Sequence, residues 1–283
     1  MNRTAATTCL LALSACVISP PGALDELPSP WLVDRPRLLA ISVEPPELTP
    51  DGSATIQVLL PDPRREADAT VILGCEGYGL CPLDLGDVSV RDFGEQEWRE
   101  HGAIGVVGLF DAVATGFEPL FEGLDDQQRE EGISLGITVM AIPASATGKK
   151  ARKKTDYDEV EAGFRSLTVR DAETLNRNPT LYGLLANGEA TPASGWTVKS
   201  DQTLSLDVEV TPDSWEEYRD GETEWLDVQW FTDDGAFEWS GSTPGEPVEW
   251  TSPEERGQTG TIWAVVRDGR GGQVWVAREF TTR

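Results

Sequence analysis

Residues 226–231 have the sequence Leu-Asp-Val-Gln-Trp-Phe, in which apolar and polar side chains alternate. Successive side chains of an extended chain point to opposite faces, so Leu226, Val228 and Trp230 share one face, and the residues between them face the other way. This pattern predicts a β-strand with one buried face. We therefore expect Trp230 to be a core residue.

Similar β-rich runs recur on both sides of this strand, and turn residues separate them. Asp233-Asp234-Gly235 and residues 268–272 supply the positive-φ positions that hairpin turns need. Short runs bounded in this way favour antiparallel sandwiches over alternating βαβ units. We predict an all-β fold with two antiparallel β-sandwich domains. The strand candidates are residues 38–43, 55–60, 70–73, 133–142, 164–169, 203–210, 224–231, 261–267 and 273–280.

The C-terminal part of the chain resembles bacterial immunoglobulin-like or PKD-like domains. The resemblance rests on residues 226–231, on Trp250-Thr251-Ser252-Pro253 with Gly257, and on residues 260–272. In such domains a strand with a core tryptophan is followed by a strand that leads into an Asp-Gly-rich hairpin, which implies the core role for Trp230. The sequence departs from true immunoglobulin domains because no cysteine pair joins the sheets here. A fold resemblance of this kind implies architecture and not activity.

Composition divides the chain into four parts. Residues 1–15 are expected to be a lipoprotein signal peptide, and residues 16–36 a lipidated N-terminus with a proline-rich tether. Residues 37–175 are expected to form the first β-sandwich, and residues 176–283 the second, immunoglobulin-like or PKD-like sandwich.

The first domain is expected to carry an irregular, partly helical insertion at residues 82–132. Within it, residues 125–131 predict a short helix with acidic residues in its first turn. Long loops on sandwiches are often binding sites. The alternatives are that the insertion only decorates the fold, or that it holds an enzyme site.

The N-terminus resembles the signal of bacterial lipoproteins. An apolar stretch at residues 5–13 follows Arg3 and is too short to span a bilayer, which takes about 20 apolar residues. Leu13-Ser14-Ala15-Cys16 is similar to a lipobox. The resemblance implies cleavage before Cys16 and attachment of diacylglycerol and palmitate-type chains there. The alternative is an ordinary secretory signal with an incidental cysteine.

The residues after Cys16 bear on localisation. In the sorting pattern of many lipoproteins, an aspartate directly after the cysteine retains the protein in the inner membrane. Here Val17 and Ile18 stand in that place. The pattern favours a lipid-anchored protein of the cell envelope on the outer membrane, and its periplasmic or surface face stays open.

Charge restricts the partners. The formal net charge of −26 repels phosphate backbones, so we expect no nucleic-acid partner. The basic run at residues 149–154 contrasts with this background. It could dock lipid phosphates, anionic glycans or an acidic partner, or it could be a solvated hairpin loop.

Two cysteines remain in the mature chain once Cys16 is lipidated. Cys75 and Cys81 flank a glycine-containing segment, which outside the cytoplasm predicts a disulfide. Closing so short a loop would contribute about 2 kcal/mol. A zinc site would need four suitable ligands, and the chain has a single histidine, His101. We expect no metal and no cofactor.

The sequence lacks the patterns that catalysis would need. His101 is the only candidate base for a Ser-His pair, and no Gly-x-Ser-x-Gly elbow, His-Glu-x-x-His motif or P-loop occurs. Asp233, Asp234 and Asp268 could bind calcium, but a role in turns accounts for them. We predict no catalytic residues, and hence a protein that is not an enzyme.

Eight of the ten tryptophans lie in the second domain, which is more than one sandwich core needs. Trp225 lies on the face opposite Trp230, so some of these indoles are expected to be exposed. Exposed tryptophans beside carboxylates stack on sugars or anchor protein interfaces. The candidate ligand-binding residues are Trp225, Trp239, Trp250 and Trp275. The alternative is that these side chains cover hydrophobic edges or pack against the first domain.

These observations predict a membrane-anchored extracytoplasmic lipoprotein with a non-enzymatic binding or structural role in the cell envelope. Its expected partners are membrane lipid, through Cys16, and an envelope protein or glycan. The alternative function is carbohydrate binding through exposed tryptophans of the second domain.

Overall fold

The computed structural model describes residues 29–63, 69–75, 106–115, 117–143, 161–218 and 221–283. These residues form two β-sandwiches with one short α-helix. Cys16, Cys81, His101 and the basic run at residues 149–154 lie outside the described residues.

The first sandwich consists of seven strands in the part of the chain that the structure describes. One sheet has the strand order β1-β3-β5 and the other the order β2-β7-β6-β4. Strand β2 runs parallel to β7, and the other neighbouring pairs are antiparallel. The strands are β1 (Ala40–Glu44), β2 (Glu47–Leu48), β3 (Ser53–Asp62), β4 (Ala69–Cys75), β5 (Val106–Thr115), β6 (Ile133–Pro143) and β7 (Glu161–Val169).

The second sandwich follows a linker at residues 170–180. Its sheets have the orders β10-β19-β18-β14-β16 and β15-β17-β11-β8-β9, and β12 and β13 form a separate hairpin. The strands are β8 (Leu181–Ala186), β9 (Glu189–Ala190), β10 (Trp196–Val198), β11 (Thr203–Val210), β12 (Glu217–Tyr218), β13 (Glu222–Thr223), β14 (Asp227–Thr232), β15 (Ala236–Phe237), β16 (Gly241–Ser242), β17 (Val248–Thr251), β18 (Thr259–Arg267) and β19 (Gln273–Thr282).

The two sandwiches share one strand arrangement. In each, the first long strand pairs with the second and the second with a later one, as in β1-β3-β5 and β8-β11-β17. In each, a short early strand pairs in parallel with the last strand of the domain, β2 with β7 and β10 with β19. This is an immunoglobulin-like arrangement of two packed sheets that are antiparallel except for this one edge pair in each domain. The predicted all-β, two-sandwich fold is confirmed.

Trp230 occupies the core of the second sandwich, as the alternation in β14 predicts. Its side chain is fully buried, as are those of Leu226 and Val228, whereas Asp227 is exposed. Its indole Nε1 donates a hydrogen bond of 3.0 Å to Ser242 Oγ on β16. The core tryptophan therefore also fixes the neighbouring edge strand.

The predicted short helix is present as α1 (Asp126–Glu131). The side chain of Asp125 accepts a hydrogen bond from the backbone N–H of Gln128, and the Gln128 side chain accepts one from the N–H of Asp125. This capping box satisfies two N–H groups that the first helical turn leaves without partners.

Residues 106–115 differ from the sequence expectation. They lie in the segment predicted to be an irregular insertion, residues 82–132. They form strand β5, which pairs with β3 along its whole length, from Ser53↔Thr115 to Asp62↔Val106. Backbone hydrogen bonds to a long central strand outweigh weak side-chain propensity here.

The two sandwiches are joined by an apolar interface between sheets. Alternate residues of β1 and β3 face inward, and the residues between them, Ala40 and Leu59, face the second domain. There they pack against Phe231, Trp263 and Val265, which point outward from β14 and β18. Each of these five residues is 6 % exposed or less. Fully burying one large apolar side chain contributes about 1.5–3 kcal/mol, so the interface holds the domains as one unit.

Strand β18 shows why this face of the second domain is covered. Its residues from Ile262 to Val266 are apolar at every position and are all buried. A strand with only one buried face would alternate with polar residues. Its inward residues line the second core, and its outward residues, Trp263 and Val265, meet the first domain.

Residues 31–33, which we term the N-terminal strap, lie against the second domain. Leu32 forms a parallel bridge to Thr232, and the backbone N–H of Val33 donates to the carbonyl oxygen of Thr232 at 2.8 Å. Val33 is fully buried, and the Trp31 ring contacts Phe237 edge-on with a centroid distance of 6.0 Å. The segment expected to be a tether is thus packed near its C-terminal end, because Val33 joins the apolar cluster between the domains and Trp31 packs against the core of the second.

Candidate functional site

The candidate site is built on residues 215–227, which we term the tryptophan hairpin. Its centre is the pairing of β12 with β13, with Glu217 opposite Thr223. The pairing continues one step toward the sandwich, because the backbone N–H of Glu224 donates to the carbonyl oxygen of Glu216 at 2.9 Å. The segment then enters β14. The hairpin is therefore rooted in the strand that carries the core tryptophan.

The two faces of this hairpin differ. Glu216 and Glu224 have nearly buried side chains, with 18 % and 1 % exposed, and both contact Arg270. Trp215 and Trp225, one position away on each segment, are 38 % and 70 % exposed. These exposures show that the carboxylates face the molecule and the indoles face solvent.

An ion-pair cluster centred on Arg270 holds the hairpin. The guanidinium nitrogens of Arg270 lie 2.5 Å from Glu224 Oε1, 3.5 Å from Glu216 Oε2 and 3.9 Å from Glu47 Oε2. Glu47 belongs to the first domain, where it also binds Arg170 at 2.6 Å. The tryptophan hairpin is thus tied to both sandwiches through one arginine.

Arg270 lies in a turn whose backbone is held by hydrogen bonds to the side chain of Asp268. Its Oδ1 accepts hydrogen bonds from the backbone N–H groups of Arg270, Gly271 and Gly272, at 2.8, 2.9 and 2.8 Å. Gly269 and Gly271 have positive φ, as the turn composition predicts. The other Asp268 oxygen accepts from Asn176 Nδ2 of the linker at 2.9 Å.

Burial changes the acidity of the carboxylates in this cluster. Loss of solvent raises the pKa of Glu224 from 4.5 to about 7, and the negative charge of Asp268 adds to the rise while Arg270 opposes it. The pKa of Glu216 is also raised, chiefly by burial, and again Arg270 opposes the change. The ion-pair cluster that holds the tryptophan hairpin therefore contains a carboxyl group, that of Glu224, whose charge changes near neutral pH.

A cavity of about 530 Å³ opens beside this cluster at the domain junction. Its walls come from the first domain (Glu47, Leu48), from the linker (Glu173, Asn176) and from the tryptophan hairpin (Glu216). Its size lies in the range of small-molecule sites, about 300–1,000 Å³. Among the described residues that line it are carboxylates, hydroxyl groups and the guanidinium of Arg177, and no histidine or cysteine.

The four tryptophans singled out from the sequence fall into two groups. Trp225 and Trp239 are 70 % and 74 % exposed. Trp239 lies near Gly241, which pairs with Gln229, whereas Trp225 precedes the start of β14. Gln229 is four residues from Trp225, about 13 Å at about 3.3 Å per extended residue, so the two indoles do not form one site.

Trp250 is a core residue and Trp275 is only partly exposed, so neither presents the open indole face that was expected of a ligand-binding residue. Trp250 is fully buried and packs edge-on against Phe280 at a centroid distance of 4.8 Å. Trp275 is partly buried against the interface between the domains. The alternation of Val248, Glu249 and Trp250 already indicated that Trp250 is buried. The apolar residues on both faces of β19 indicated the same for one side of Trp275.

Trp215 is the site residue that the sequence reasoning did not single out. Two features of the sequence relate it to Trp225. A glutamate lies next to each of the two tryptophans, and both belong to one acidic segment with a Gly at its turn, residues 215–225.

The remaining candidate residues are the turn aspartates, possible metal ligands and the cysteines. Asp234 Oδ1 accepts from the N–H of Gly235 within the turn, whereas Asp233 Oδ1 accepts from the N–H of Thr261 and so joins the turn to β18. Among the described residues, no group of three or more His, Cys, Asp or Glu side chains is arranged to hold a metal ion. Within the same ranges no helix has the length and apolarity to cross a bilayer. Cys75 ends β4, and its predicted partner Cys81 lies outside the described residues, as does Cys16.

Comparisons with known proteins find similarity in architecture. No family model matches the chain, and no curated protein matches it. The D0-D1 domain of intimin is 12 % identical over 87 % of this chain and 99 % of that chain, with a TM-score of 0.25. The Yersinia pseudotuberculosis adhesin InvE is 13 % identical over 86 % and 60 %, with a TM-score of 0.26.

A third similar structure comes from an animal receptor. The N-terminal Ig1-2 module of the Drosophila receptor protein tyrosine phosphatase DLAR is 10 % identical over 88 % of this chain and 99 % of that chain, with a TM-score of 0.27. At 10–13 % identity these similarities concern the β fold and carry nothing about the role of this chain.

Replacing Glu224 with Gln should weaken the dependence of stability on pH. A carboxyl group whose pKa is raised on folding takes up a proton, so its contribution to stability is present below the ordinary carboxyl range and is lost as pH rises to about 7. Urea unfolding between about pH 5 and pH 8 should show a shallower loss of stability in Glu224→Gln than in the unmodified protein. Glu222→Gln, an exposed change on the same hairpin, is the control. Equal slopes in Glu224→Gln and the unmodified protein would show that Glu224 titrates normally.

Proposed function

We propose that this chain is a lipid-anchored extracytoplasmic protein with a non-enzymatic binding role, which contacts its partner through the tryptophan hairpin. The observation that carries the proposal is the exposure of Trp215 and Trp225, 38 % and 70 %, on a segment whose opposite face is held by buried ion pairs. Large indoles kept in water on a fixed support are typical of interface anchors.

The support matters because binding is weakened by the entropy of ordering flexible groups. Arg270 links the hairpin to Glu47 of the first domain, and backbone pairing roots it in β14. A partner would therefore meet indoles whose backbone is already in place. This favours a binding role over a purely structural one.

The anchor is proposed to be lipid on Cys16, as the lipobox implies. Trp31 is the first described residue that packs against the second domain. The segment between these residues could span about 40 Å at about 3.1 Å per extended residue. Two or three acyl chains suffice for stable membrane binding. An outer-membrane location is part of the proposal, since Val17 and Ile18 follow the cysteine.

Carbohydrate binding is the second candidate function. It is favoured by polar groups on the face of β14 that Trp225 shares: the Asp227 side chain is 53 % exposed, and Gln229 follows two positions later. Indole faces stack on sugar rings, while carboxylates and amides accept and donate hydrogen bonds to hydroxyls. An envelope or matrix polysaccharide would be the ligand.

Replacing Cys16 with Ser should release the protein from the membrane, because no thiol remains for lipid attachment. After cell fractionation, the unmodified protein is expected in the membrane pellet and labelled by a palmitate analogue. The Cys16→Ser protein is expected in the unlabelled soluble fraction. Cys9→Ser, a change inside the signal, serves as the control. Unlabelled Cys16-containing protein, or equal partition of the two proteins, would contradict the anchor.

Replacing both Trp215 and Trp225 with Ala should abolish partner capture, because truncating an interface anchor costs about 2 kcal/mol or more, which is over tenfold in affinity. The soluble Cys16→Ser protein is immobilised and exposed to solubilised envelope proteins and, separately, to a glycan array. Tyr182→Ala, an equally exposed aromatic change on β8 (65 %), is the matched control. Capture of the same partner by the double variant would overturn the proposal. Loss confined to the glycan array would select the second candidate.

A further inference from the structure

The indole-bearing face of the tryptophan hairpin also carries negative charge. From Asp213 to Asp227 the chain has seven acidic residues and one basic residue. The whole chain has a formal charge of −26. The field around the hairpin therefore attracts cations and repels anionic polymers.

The register of the hairpin shows which carboxylates lie with the indoles. Glu217 pairs with Thr223, and Glu216 is bonded to Glu224 through the backbone. Alternation thus groups Trp215 and Glu217 on one segment with Thr223, Trp225 and Asp227 on the other. Glu217 is exposed, and the Asp227 side chain is 53 % exposed with Arg267 at 3.7 Å. The inward carboxylates contact Arg270 and Asp227 contacts Arg267, so the exposed Glu217 is the carboxylate that this face presents beside the indoles.

We infer that this face binds a cationic segment of a protein partner, one that presents arginine or lysine side chains. The inference rests on the proposed function and specifies the partner. A guanidinium or ammonium group over an indole face is attracted by the ring quadrupole, and a flanking carboxylate adds a charge-assisted hydrogen bond. Two indoles beside the exposed carboxylate of Glu217 match the basic side chains of an extended peptide.

The charge argues against the other ligand classes for this face. A phosphate-bearing or uronate-bearing polymer would meet carboxylates of like sign, which disfavours association. A neutral sugar would gain from the indoles but nothing from the field. A basic protein segment gains from both the indole faces and the negative field. Long-range attraction also speeds its encounter with the site.

The test uses the full chain with Cys16→Ser and two probes, an acetylated hexa-arginine peptide and a Ser-Gly peptide of the same length. Binding is followed by calorimetry at low and at physiological ionic strength. Saturable binding of hexa-arginine alone is expected. Trp215→Ala and Trp225→Ala should each weaken it about two- to fivefold, the loss expected from one exposed cation–π contact.

Charge variants separate the site from the general acidity of the chain. Glu217→Gln should weaken hexa-arginine binding and reduce its dependence on salt, and Glu217→Lys should weaken it further. Glu209→Gln and Tyr182→Ala, exposed changes on the other sheet of the same domain, should leave it unchanged. Circular dichroism checks that each variant keeps its fold.

Two results would overturn the inference. One is the absence of saturable binding to hexa-arginine, and the other is equal affinity in the double tryptophan variant and its parent. If hexa-arginine fails while the double variant still loses its envelope partner, the binding role stands and the partner is not cationic. If capture from the envelope also survives the double substitution, the proposed function falls with the inference.

Discussion

The contact between the outer faces of two sheets, one from each sandwich, underlies the rest of this structure. Leu59 of the first domain and Trp263 of the second meet there in a dry apolar layer, with Val33 of the N-terminal strap closing one side. Without this layer, β18 would expose an apolar face along most of its length. The layer also fixes where the chain enters and leaves each domain, and hence where the linker runs.

Polar contacts along the edges of this layer depend on the alignment that it sets. Ser42 Oγ donates to the carbonyl oxygen of Gln273 at 2.7 Å, and Asn178 Nδ2 donates to the carbonyl oxygen of Val43 at 2.8 Å. Glu47 reaches Arg270 only because the domains are aligned. Buried ion pairs contribute little net stability, but they select one geometry once the apolar contact has formed. The position of the tryptophan hairpin therefore depends first on the apolar contact between the domains and then on the ion pairs of Arg270.

An element could be predicted from the sequence wherever residues close together in the chain determine its structure. The alternation around Trp230 fixed both strand and buried face, the Asp125–Gln128 pair fixed the helix start, and glycines at 269 and 271 matched the turn. Prediction failed where the decisive partner lies far along the chain. Strand β5 is held by β3 in spite of its glycine and aspartate, and Trp275 is covered by the other domain. Exposure of Trp215 depends on a hairpin whose inward face is set by Arg270, 55 positions away.

The most direct test of this account is whether the two sandwiches tumble as one body. Residual dipolar couplings of backbone amides in the soluble Cys16→Ser protein give an alignment tensor for each domain. Couplings from the strands of the first sandwich and from those of the second should fit a single tensor, and Trp263→Asp should split it in two by placing a charge in the apolar layer. Two different tensors in the unmodified protein would contradict the shared interface on which the position of the tryptophan hairpin depends.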